Sequence, residues 1–214
     1  SDLPGATDAE LGKTYSYTWK NADRYSKNKV MKLTLAEDGI LTINLARPYD
    51  LYGASYEEVY FKFYAENNTS SYIVNMDSDY AKDTDKENCT MQVCLAKGTY
   101  YVEVDADVSY YSCDVDLTAQ YSFSLDTKGY TEVEDNDSRT KATPMELGHM
   151  YYGTYGHGDS ADHFSFNVTG GHKYVFTFDN FAEIDDTTII LSVVLPGGDK
   201  VSPLYYAEKN VDAN

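Results

Sequence analysis

Apolar and polar residues alternate along most of the chain with a period of two, and the spacing of an amphipathic helix is hard to find. Short alternating runs that end at Gly, Asn or Asp turns are typical of antiparallel strands, each burying one face. The apolar positions of the predicted strands are Met31, Leu33 and Leu35; Leu41, Ile43 and Leu45; Val59, Phe61 and Phe63; Met91, Val93 and Leu95; Tyr100, Val102 and Val104; and Tyr121, Phe123 and Leu125. The pattern predicts an all-β fold, built as an antiparallel β-sandwich.

A stretch near the beginning of the chain recurs in its second half. The segment ATDAELGKTYSYTW, residues 6–19, aligns without a gap on ATPMELGHMYYGTY, residues 142–155. With three extra residues in the first copy, the strand containing Met31 then falls on the strand containing Phe164. Self-similarity of this kind is the signature of a repeated structural unit.

The repeat predicts two tandem sandwiches, with residues 1–126 forming the first and residues 127–214 the second. The second copy is incomplete, because the counterparts of the last strands of the first copy would lie beyond Asn214. Without them its aromatic face is uncovered, at a cost of about 1.5–3 kcal/mol for each large side chain. We therefore expect the parent chain to continue beyond Asn214; the alternatives are strands donated by a neighbouring molecule and packing of the first copy against the gap.

Composition and charge narrow the choice of partners. Of the 214 residues 42% are hydrophobic, and the formal net charge is −18 with an isoelectric point near 4.4. An acidic surface argues against nucleic acid or an anionic membrane as partner, since phosphate binding needs a basic surface. No stretch approaches the roughly 18–20 apolar residues of a membrane span, so we expect no membrane insertion.

Negative charge is concentrated between the two copies, in the sequence EVEDND of residues 132–137, which we call the acidic segment. In an extended chain Glu132, Glu134 and Asn136 point the same way, since side chains two apart share a face. Carboxylate and amide oxygens are the ligands that Ca²⁺ takes, six to eight at a time.

A loop of the second copy, GHGDSADHFSF at residues 156–166, offers further carboxylates close to the predicted Phe164 strand. If the acidic segment folds beside this loop, five or six oxygens surround one site. The candidate ligands are Glu132, Glu134, Asn136, Asp137, Asp159 and Asp162. The alternative is a solvated acidic linker that binds no ion.

Taken in order, these motifs resemble the bacterial pre-peptidase C-terminal domain family, and most of all the collagen-binding domains of clostridial collagenases. The resemblance rests on the E-x-E-x-N-D run of the acidic segment, the E-L-G strand start at 146–148 and the D-x-x-D-x-F motif at 159–164. In the first copy, CLAKGTYYVEV at 94–104 looks like the late strand of the family. The resemblance covers the second copy from about residue 130 to 180.

The resemblance implies a jelly-roll-like β-sandwich that is secreted or on the bacterial cell surface, is not catalytic, and is appended to an exported enzyme or surface protein. In the collagen-binding members the acidic linker joins the sandwich as a strand when calcium binds. The resemblance adds a backbone carbonyl near Thr154 to the six ligands above. In the first copy Lys29 stands where the second has Asp162, so we expect no calcium site there.

Tyrosine is the other unusual feature of the composition, with 22 residues. In GTYYVEV, Tyr100 should face the core and leave Tyr101 outside; Tyr110 and Tyr111 follow. Exposed tyrosines form protein- or glycan-binding surfaces. Tyr101, Tyr110 and Tyr111 are therefore a candidate site for an extracellular protein or matrix polymer. The alternative is that β-strands simply favour tyrosine.

The three cysteines, Cys89, Cys94 and Cys113, fit no zinc pattern and have no histidine nearby. The turn after Cys94 predicts a hairpin that places this residue opposite Tyr101. Cys89 and Cys94 lie about 16 Å apart along one extended strand, too far for a disulfide. A bridge, if one forms, should therefore join Cys89 to Cys113; a fully reduced set is the alternative.

Catalytic patterns are missing from the sequence. It has no G-x-S-x-G elbow, no P-loop and no dinucleotide fingerprint, and its paired carboxylates lack an apolar pocket. All four histidines belong to the second copy, which leaves a zinc or copper site as a further alternative.

We therefore expect a non-catalytic extracellular module that is stabilised by calcium. Two functions compete: adhesion to a protein or matrix polymer through exposed tyrosines, and a structural spacer or secretion aid with no ligand but calcium. A contiguous tyrosine patch on one sheet face favours adhesion, and buried or scattered tyrosines favour the spacer.

Overall fold

A computed structural model of the chain describes residues 3, 5–19, 28–46, 57–78, 88–108, 117–154, 161–177 and 188–208. The chain divides into two compact units, Ser1–Asn167 and Val168–Asn214. The first unit thus extends past the predicted boundary between residues 126 and 127. That boundary was drawn from the repeat, and it stays a prediction.

The first unit contains a two-layered β-structure. Its strands are β1 (Thr7–Ala9), β2 (Thr14–Trp19), β3 (Lys29–Leu35), β4 (Gly39–Ala46), β5 (Glu57–Ala65), β6 (Val74–Asp77), β7 (Asn88–Leu95), β8 (Gly98–Val108) and β9 (Leu117–Asp126). Five strands form one sheet in the order β1-β3-β8-β5-β6, and four form the other in the order β2-β9-β4-β7. Neighbouring strands are antiparallel, except for β1 beside β3. The prediction of an all-β sandwich is confirmed.

The core lies between the two sheets and consists of the residues that the alternation assigns to the inner faces. Phe61 of β5 and Phe123 of β9 are both 0% exposed. Aromatic contacts join the layers, with the ring of Phe61 5.4 Å from that of Tyr121 and 6.4 Å from that of Phe123. Burying each such ring stabilises the fold by about 1.5–3 kcal/mol, so these contacts hold the sheets together.

The short connection after Cys94 is a corner between the sheets. Strands β7 and β8 follow each other in sequence but lie in different sheets. Cys94 pairs with Ile40 of β4, whereas Tyr101 pairs with Lys32 on one side and Tyr64 on the other. The predicted hairpin is wrong, because two alternating strands joined by a short turn have the same pattern in a hairpin and in a corner.

Tyr101 lies on the outer side of its sheet, as the alternation predicts, but it is 0% exposed. Lys32 and Tyr64 flank it on the neighbouring strands, and the Lys32 ammonium lies 5.5 Å from the centre of the Tyr101 ring. The prediction that Tyr101 is exposed is therefore wrong. Alternation gives the side of a sheet, and it does not say whether neighbours on that side close over a residue.

The outer face of the four-stranded sheet is almost free of charge. Its one described carboxylate, Asp126, lies at one end and pairs with Lys128 at 2.8 Å. The outer face of the five-stranded sheet differs, because Lys62 there lies between Glu103 (3.9 Å) and Asp105 (3.8 Å). The uncharged polar side chains that point outward from the four-stranded sheet are Thr14, Ser16, Thr18, Thr42, Asn44, Asn88, Thr90, Gln92, Thr118, Gln120, Ser122 and Ser124.

The start of the second copy repeats a strand pairing of the first. Strands β10 (Thr143–Pro144) and β11 (Phe164–Ser165) are parallel, as are β1 and β3. Thr143 pairs with Phe164, and Thr7 pairs with Met31. Both pairings join positions that the repeat alignment makes equivalent.

The turns that follow β1 and β10 also match. The backbone N–H of Glu10 donates to the hydroxyl of Tyr15 (2.7 Å), and that of Glu146 donates to the hydroxyl of Tyr151 (3.0 Å). The glycine two positions after each glutamate has a left-handed φ, +79° and +87° respectively. The local structure of the two aligned segments agrees to this extent, while the tandem organisation as a whole stays a prediction.

The second unit contains an antiparallel pair, β12 (Thr188–Val194) and β13 (Lys200–Glu208). The repeat aligns the strand of Leu41, Ile43 and Leu45 with Tyr174, Phe176 and Phe178 and so predicts a strand there. Residues 172–177 have no assigned strand, and Phe178 falls outside the described residues. Several apolar side chains of this unit are exposed, namely Val168, Val175, Phe176, Ile190 and Leu195. Among the described residues of either unit, no helix has the length and hydrophobicity of a membrane span.

A substitution at Gly39 tests the packing of β4 against β9. A Cβ at this position would lie 2.7 Å from the backbone oxygen of Asp126 and 2.9 Å from Leu125 Cδ1. Overpacking of this kind costs about 1–3 kcal/mol, and each kcal/mol lowers the melting temperature of a chain of this size by about 2–4 °C. We expect Gly39→Ala to lower the Tm in thermal unfolding followed by circular dichroism.

The matched control is Gly170→Ala, since a Cβ there meets nothing within 4 Å. If Gly39→Ala and Gly170→Ala have the same Tm, β4 and β9 are further apart than described.

Candidate metal centre

The beginning of the acidic segment runs alongside Tyr152. Glu132 donates its backbone N–H to the carbonyl oxygen of Tyr152 (2.9 Å), and Tyr152 donates to that of Tyr130 (3.1 Å). Between these two hydrogen bonds, Thr131 and Tyr152 form a parallel β-bridge. Backbone pairing thus places the start of the acidic segment against residues 152–154.

The carboxylate of Glu132 is buried at this point, with the residue 0% exposed. Its Oε1 accepts hydrogen bonds from the backbone N–H of Thr154 and from the Thr154 hydroxyl, the latter at 3.1 Å. Gly153 makes room for it, because a Cβ there would lie 3.0 Å from Oε2 of Glu132. The two hydrogen-bond donors of Thr154 and the space at Gly153 together accommodate the buried carboxylate of Glu132.

Three carboxylates converge beside Thr154. One oxygen each of Glu132, Glu134 and Asp162 lies within 4.8 Å of the other two. Oxygens bound to one Ca²⁺ at about 2.3–2.6 Å lie at most about 5.2 Å apart, so the three can share an ion. Like charges this close repel each other unless a cation or protons balance them.

Asn136 adds an unusual acceptor. It is 0% exposed, and its Oδ1 has no hydrogen-bond partner among the described residues. Its Nδ2 lies 3.5 Å from the hydroxyl of Thr143, and its backbone oxygen accepts the N–H of His163 at 3.2 Å. A buried acceptor without a donor costs about 1–3 kcal/mol, and a bound cation would satisfy it.

The electrostatics of Asp162 reflect this crowding. The residue is exposed on its outer side, but its carboxylate lies in the cluster, and loss of solvation there raises its pKa. The charge of Asp137 raises this pKa further, whereas a hydrogen bond with Glu132 and the nearby His163 lower it. Asp137 is therefore close enough to act on the cluster.

Asp135 is separated from the carboxylate cluster by an ion pair. Its Oδ2 lies 2.5 Å from Nζ of Lys141, which balances its charge. The peptide bond between Glu134 and Asp135 is cis. The set of ligands predicted from the sequence omits Asp135, and this ion pair agrees with that omission.

Thr143 ties the acidic segment to strand β10. Its hydroxyl accepts the N–H of Val133 at 3.0 Å and lies 3.5 Å from the carbonyl oxygen of Val133. The same hydroxyl also lies within hydrogen-bond distance of the amide of Asn136, so it contacts both Val133 and Asn136 of the acidic segment. Thr143 is buried, with 4% of the residue exposed. The one sequence signal for Thr143 is the Ala-Thr pair that the two aligned segments share.

Cys94, at the end of edge strand β7, contacts both parts of the site. Its backbone N–H donates to the hydroxyl of Thr154 (3.0 Å), and its carbonyl oxygen accepts the N–H of Glu134 (3.3 Å). Its Sγ lies 3.8 Å from the carbonyl oxygen of Tyr152. Burial raises the pKa of the thiol, and the carboxylate of Glu132 raises it further. The sequence held no signal for this contact.

The structure places most of the predicted ligands close together. Glu132, Glu134 and Asp162 converge, with Asn136, Asp137 and Thr154 beside them. Cys89 is buried on β7. The predicted site residues outside the described ranges are Asp159, Tyr110, Tyr111 and Cys113. The proposed bridge between Cys89 and Cys113 therefore stays a prediction.

The described histidines lie outside the carboxylate cluster. His149 stacks on Tyr130 at 4.1 Å between ring centres, and its Nε2 lies 3.7 Å from the carboxylate of Glu146. Among described residues, the one group with metal-ligand geometry contains carboxylates alone. Such a donor set suits a hard cation such as Ca²⁺ better than zinc or copper.

A shallow cleft of about 370 Å³ opens on the uncharged outer face of the four-stranded sheet. Thr14, Asn44, Asn88 and Gln120 are among the residues that line it. The lining shares no residue with the carboxylate cluster and contains no acid, histidine or lysine.

No protein-family model and no curated protein matches the sequence. Among solved structures, the chain is similar to the pre-peptidase C-terminal domain of a Bacillus anthracis collagenase, at 17% identity and a TM-score of 0.39, covering 57% of this chain and 99% of that chain. The resemblance that the sequence motifs indicate is thus also found among solved structures.

Two further structures are similar to the chain at lower identity. One is a surface-associated copper-binding protein of Methylomicrobium album, at 9% identity and a TM-score of 0.41, covering 56% of this chain and 98% of that one. The other is a periplasmic inhibitor of g-type lysozyme from Aeromonas hydrophila, at 13% identity and a TM-score of 0.32, covering 56% and 96%.

The role of Thr143 can be tested by removing its hydroxyl. Thr143→Val preserves the shape of the side chain but leaves the N–H of Val133 and the amide of Asn136 without this acceptor. We expect the free energy of unfolding to fall by about 1–3 kcal/mol in urea titrations. Thr143→Ser, which keeps the hydroxyl, is the control and should be affected less. Equal stability of the valine variant and the native chain would contradict this role.

Proposed function

We propose that the acidic segment binds one calcium ion and that the chain is a non-catalytic, calcium-stabilised β-sandwich module of a bacterial secreted or cell-surface protein. Glu132, Glu134 and Asp162 are the central ligands, with Asn136 and Asp137 beside them. Asp159 and a carbonyl near Thr154 remain proposed ligands from the family resemblance. The extracellular setting also rests on that resemblance.

The observation that carries the proposal is the convergence of three carboxylates, one of which is buried. Moving a carboxylate out of water costs several kcal/mol, and two like charges nearby add to that cost. The buried Oδ1 of Asn136, which lacks a donor among the described residues, calls for a positive partner as well. A single Ca²⁺ compensates all four groups at once, since its oxygen ligands number six to eight.

A structural role is favoured over adhesion by the tyrosines that the structure describes. Tyr100, Tyr101 and Tyr121 are buried, at 6%, 0% and 2% exposure. Tyr72 and Tyr152 are exposed, but they lie in different parts of the chain, outside the strands of the two sheets. We therefore propose a structural spacer that is stabilised by calcium.

Calcium binding can be measured through stability. An ion that binds the folded state alone stabilises it by about 2.7 kcal/mol at a hundredfold excess over Kd. We expect treatment with EDTA to lower the Tm in scanning calorimetry, and added Ca²⁺ to restore it. Isothermal titration calorimetry of the EDTA-treated chain should give a stoichiometry near one.

Charge-neutralising variants provide the controls. Glu134→Gln and Asp162→Asn keep the shape of the ligands and should abolish the calcium-dependent shift in Tm. Lys29→Ala, at the aligned position of the first copy, should leave it unchanged. A shift that persists in both ligand variants, or no shift in the native chain, would overturn the proposal.

A further inference from the structure

We infer that the ion bound by the acidic segment also closes the edge of the first sandwich, and that Cys94 is the contact through which it does so. This inference rests on the proposed calcium site. It concerns a different consequence of binding: whether the end of strand β7 is covered or open.

Among the described strands, β7 is the edge of the four-stranded sheet, with β4 as its one neighbour. At Cys94 both outward backbone groups are satisfied by the site, since the N–H donates to Thr154 and the carbonyl oxygen accepts from Glu134. The thiol lies against Tyr152. As a result Cys94 is 0% exposed, although its side chain lies on the outer face of the sheet together with Ile40.

Two residues contact the cluster and the edge at the same time. Glu134 contributes a carboxylate to the cluster, while its backbone N–H reaches Cys94. Thr154 donates to the carboxylate of Glu132, while its hydroxyl accepts from Cys94. An ion that holds the carboxylates of Glu132 and Glu134 therefore also holds the groups that cover Cys94.

Without the ion, the same geometry favours opening. The three carboxylates then repel each other, and the hydrogen bonds at Cys94 are the weaker restraint, because they join neutral groups that form hydrogen bonds with water instead once they separate. Separation of Glu134 from the cluster withdraws its N–H from the carbonyl oxygen of Cys94. Release of calcium should thus uncover the thiol and reopen an unpaired strand edge, which is a site for association with other strands.

Thermodynamic linkage gives the size of the effect. If the ion binds only the closed form, it lowers the population of the open form by the factor 1 + [Ca²⁺]/Kd, which is about 100 at a hundredfold excess over Kd. A reagent that reacts with the thiol only in the open form is slowed by the same factor.

The test is alkylation of the reduced, full-length chain with iodoacetamide, with each cysteine followed separately by fragmentation mass spectrometry. In EDTA we expect Cys94 to react, and at a hundredfold excess of Ca²⁺ over Kd we expect its rate to fall about 100-fold. Cys89 is the internal control, because it lies on the same strand, is 2% exposed and faces the core. Its rate should respond much less, since it reacts only when the sandwich itself opens.

Glu134→Gln keeps the backbone contact with Cys94 but removes a ligand charge, so its Cys94 rate should lose the response to calcium. Glu146→Gln, a change at an exposed acid outside the cluster, should keep the full response. The calorimetric titration separates the two proposals. If calcium binds and the Cys94 rate does not change, or if Cys89 slows by the same factor, this inference is wrong while the calcium site stands. If no calcium binds, both are wrong.

Discussion

Burial of the Glu132 carboxylate is the constraint on which the arrangement at the join depends. A charge with no access to water is tolerated only where donors and a counter-charge replace its hydration. Thr154 supplies the donors, and Gly153 leaves the space. The proximity of Glu134 and Asp162 adds to the cost, and the cation that we propose at this group of acids would offset it.

The same constraint links the join to the sandwich that precedes it. The donors for Glu132 lie in a segment that also covers Cys94, so the end of edge strand β7 is completed by residues far along the chain. The sandwich itself is held by a conventional aromatic core between its sheets, centred on Phe61 and its neighbours. The contact between the acidic segment and the sandwich is therefore polar and depends on balanced charge. The contact between the two sheets is apolar and depends on packing.

The sequence predicted those features that depend on local pattern. Each predicted strand of the first copy, such as that of Met31 or Tyr121, is a strand with its apolar side buried, because alternation is imposed by strand geometry itself. Glu132 and Glu134 converge as expected from their spacing of two. Features that depend on distant neighbours were not predictable. The burial of Tyr101 follows from residues across its sheet, and the contact of Cys94 follows from a segment some 60 positions away.

The outer face of the four-stranded sheet has a consequence of another kind. Most of its polar side chains are hydroxyl and amide groups, which do not titrate at ordinary pH and whose hydrogen bonds with water are not screened by salt. Across the sandwich, the outer face of the other sheet carries Lys62 between Glu103 and Asp105, an arrangement that salt weakens. A change in salt concentration thus alters the electrostatic free energy of the ion pairs on one sheet face and leaves that of the hydroxyl and amide groups on the opposite face almost unchanged.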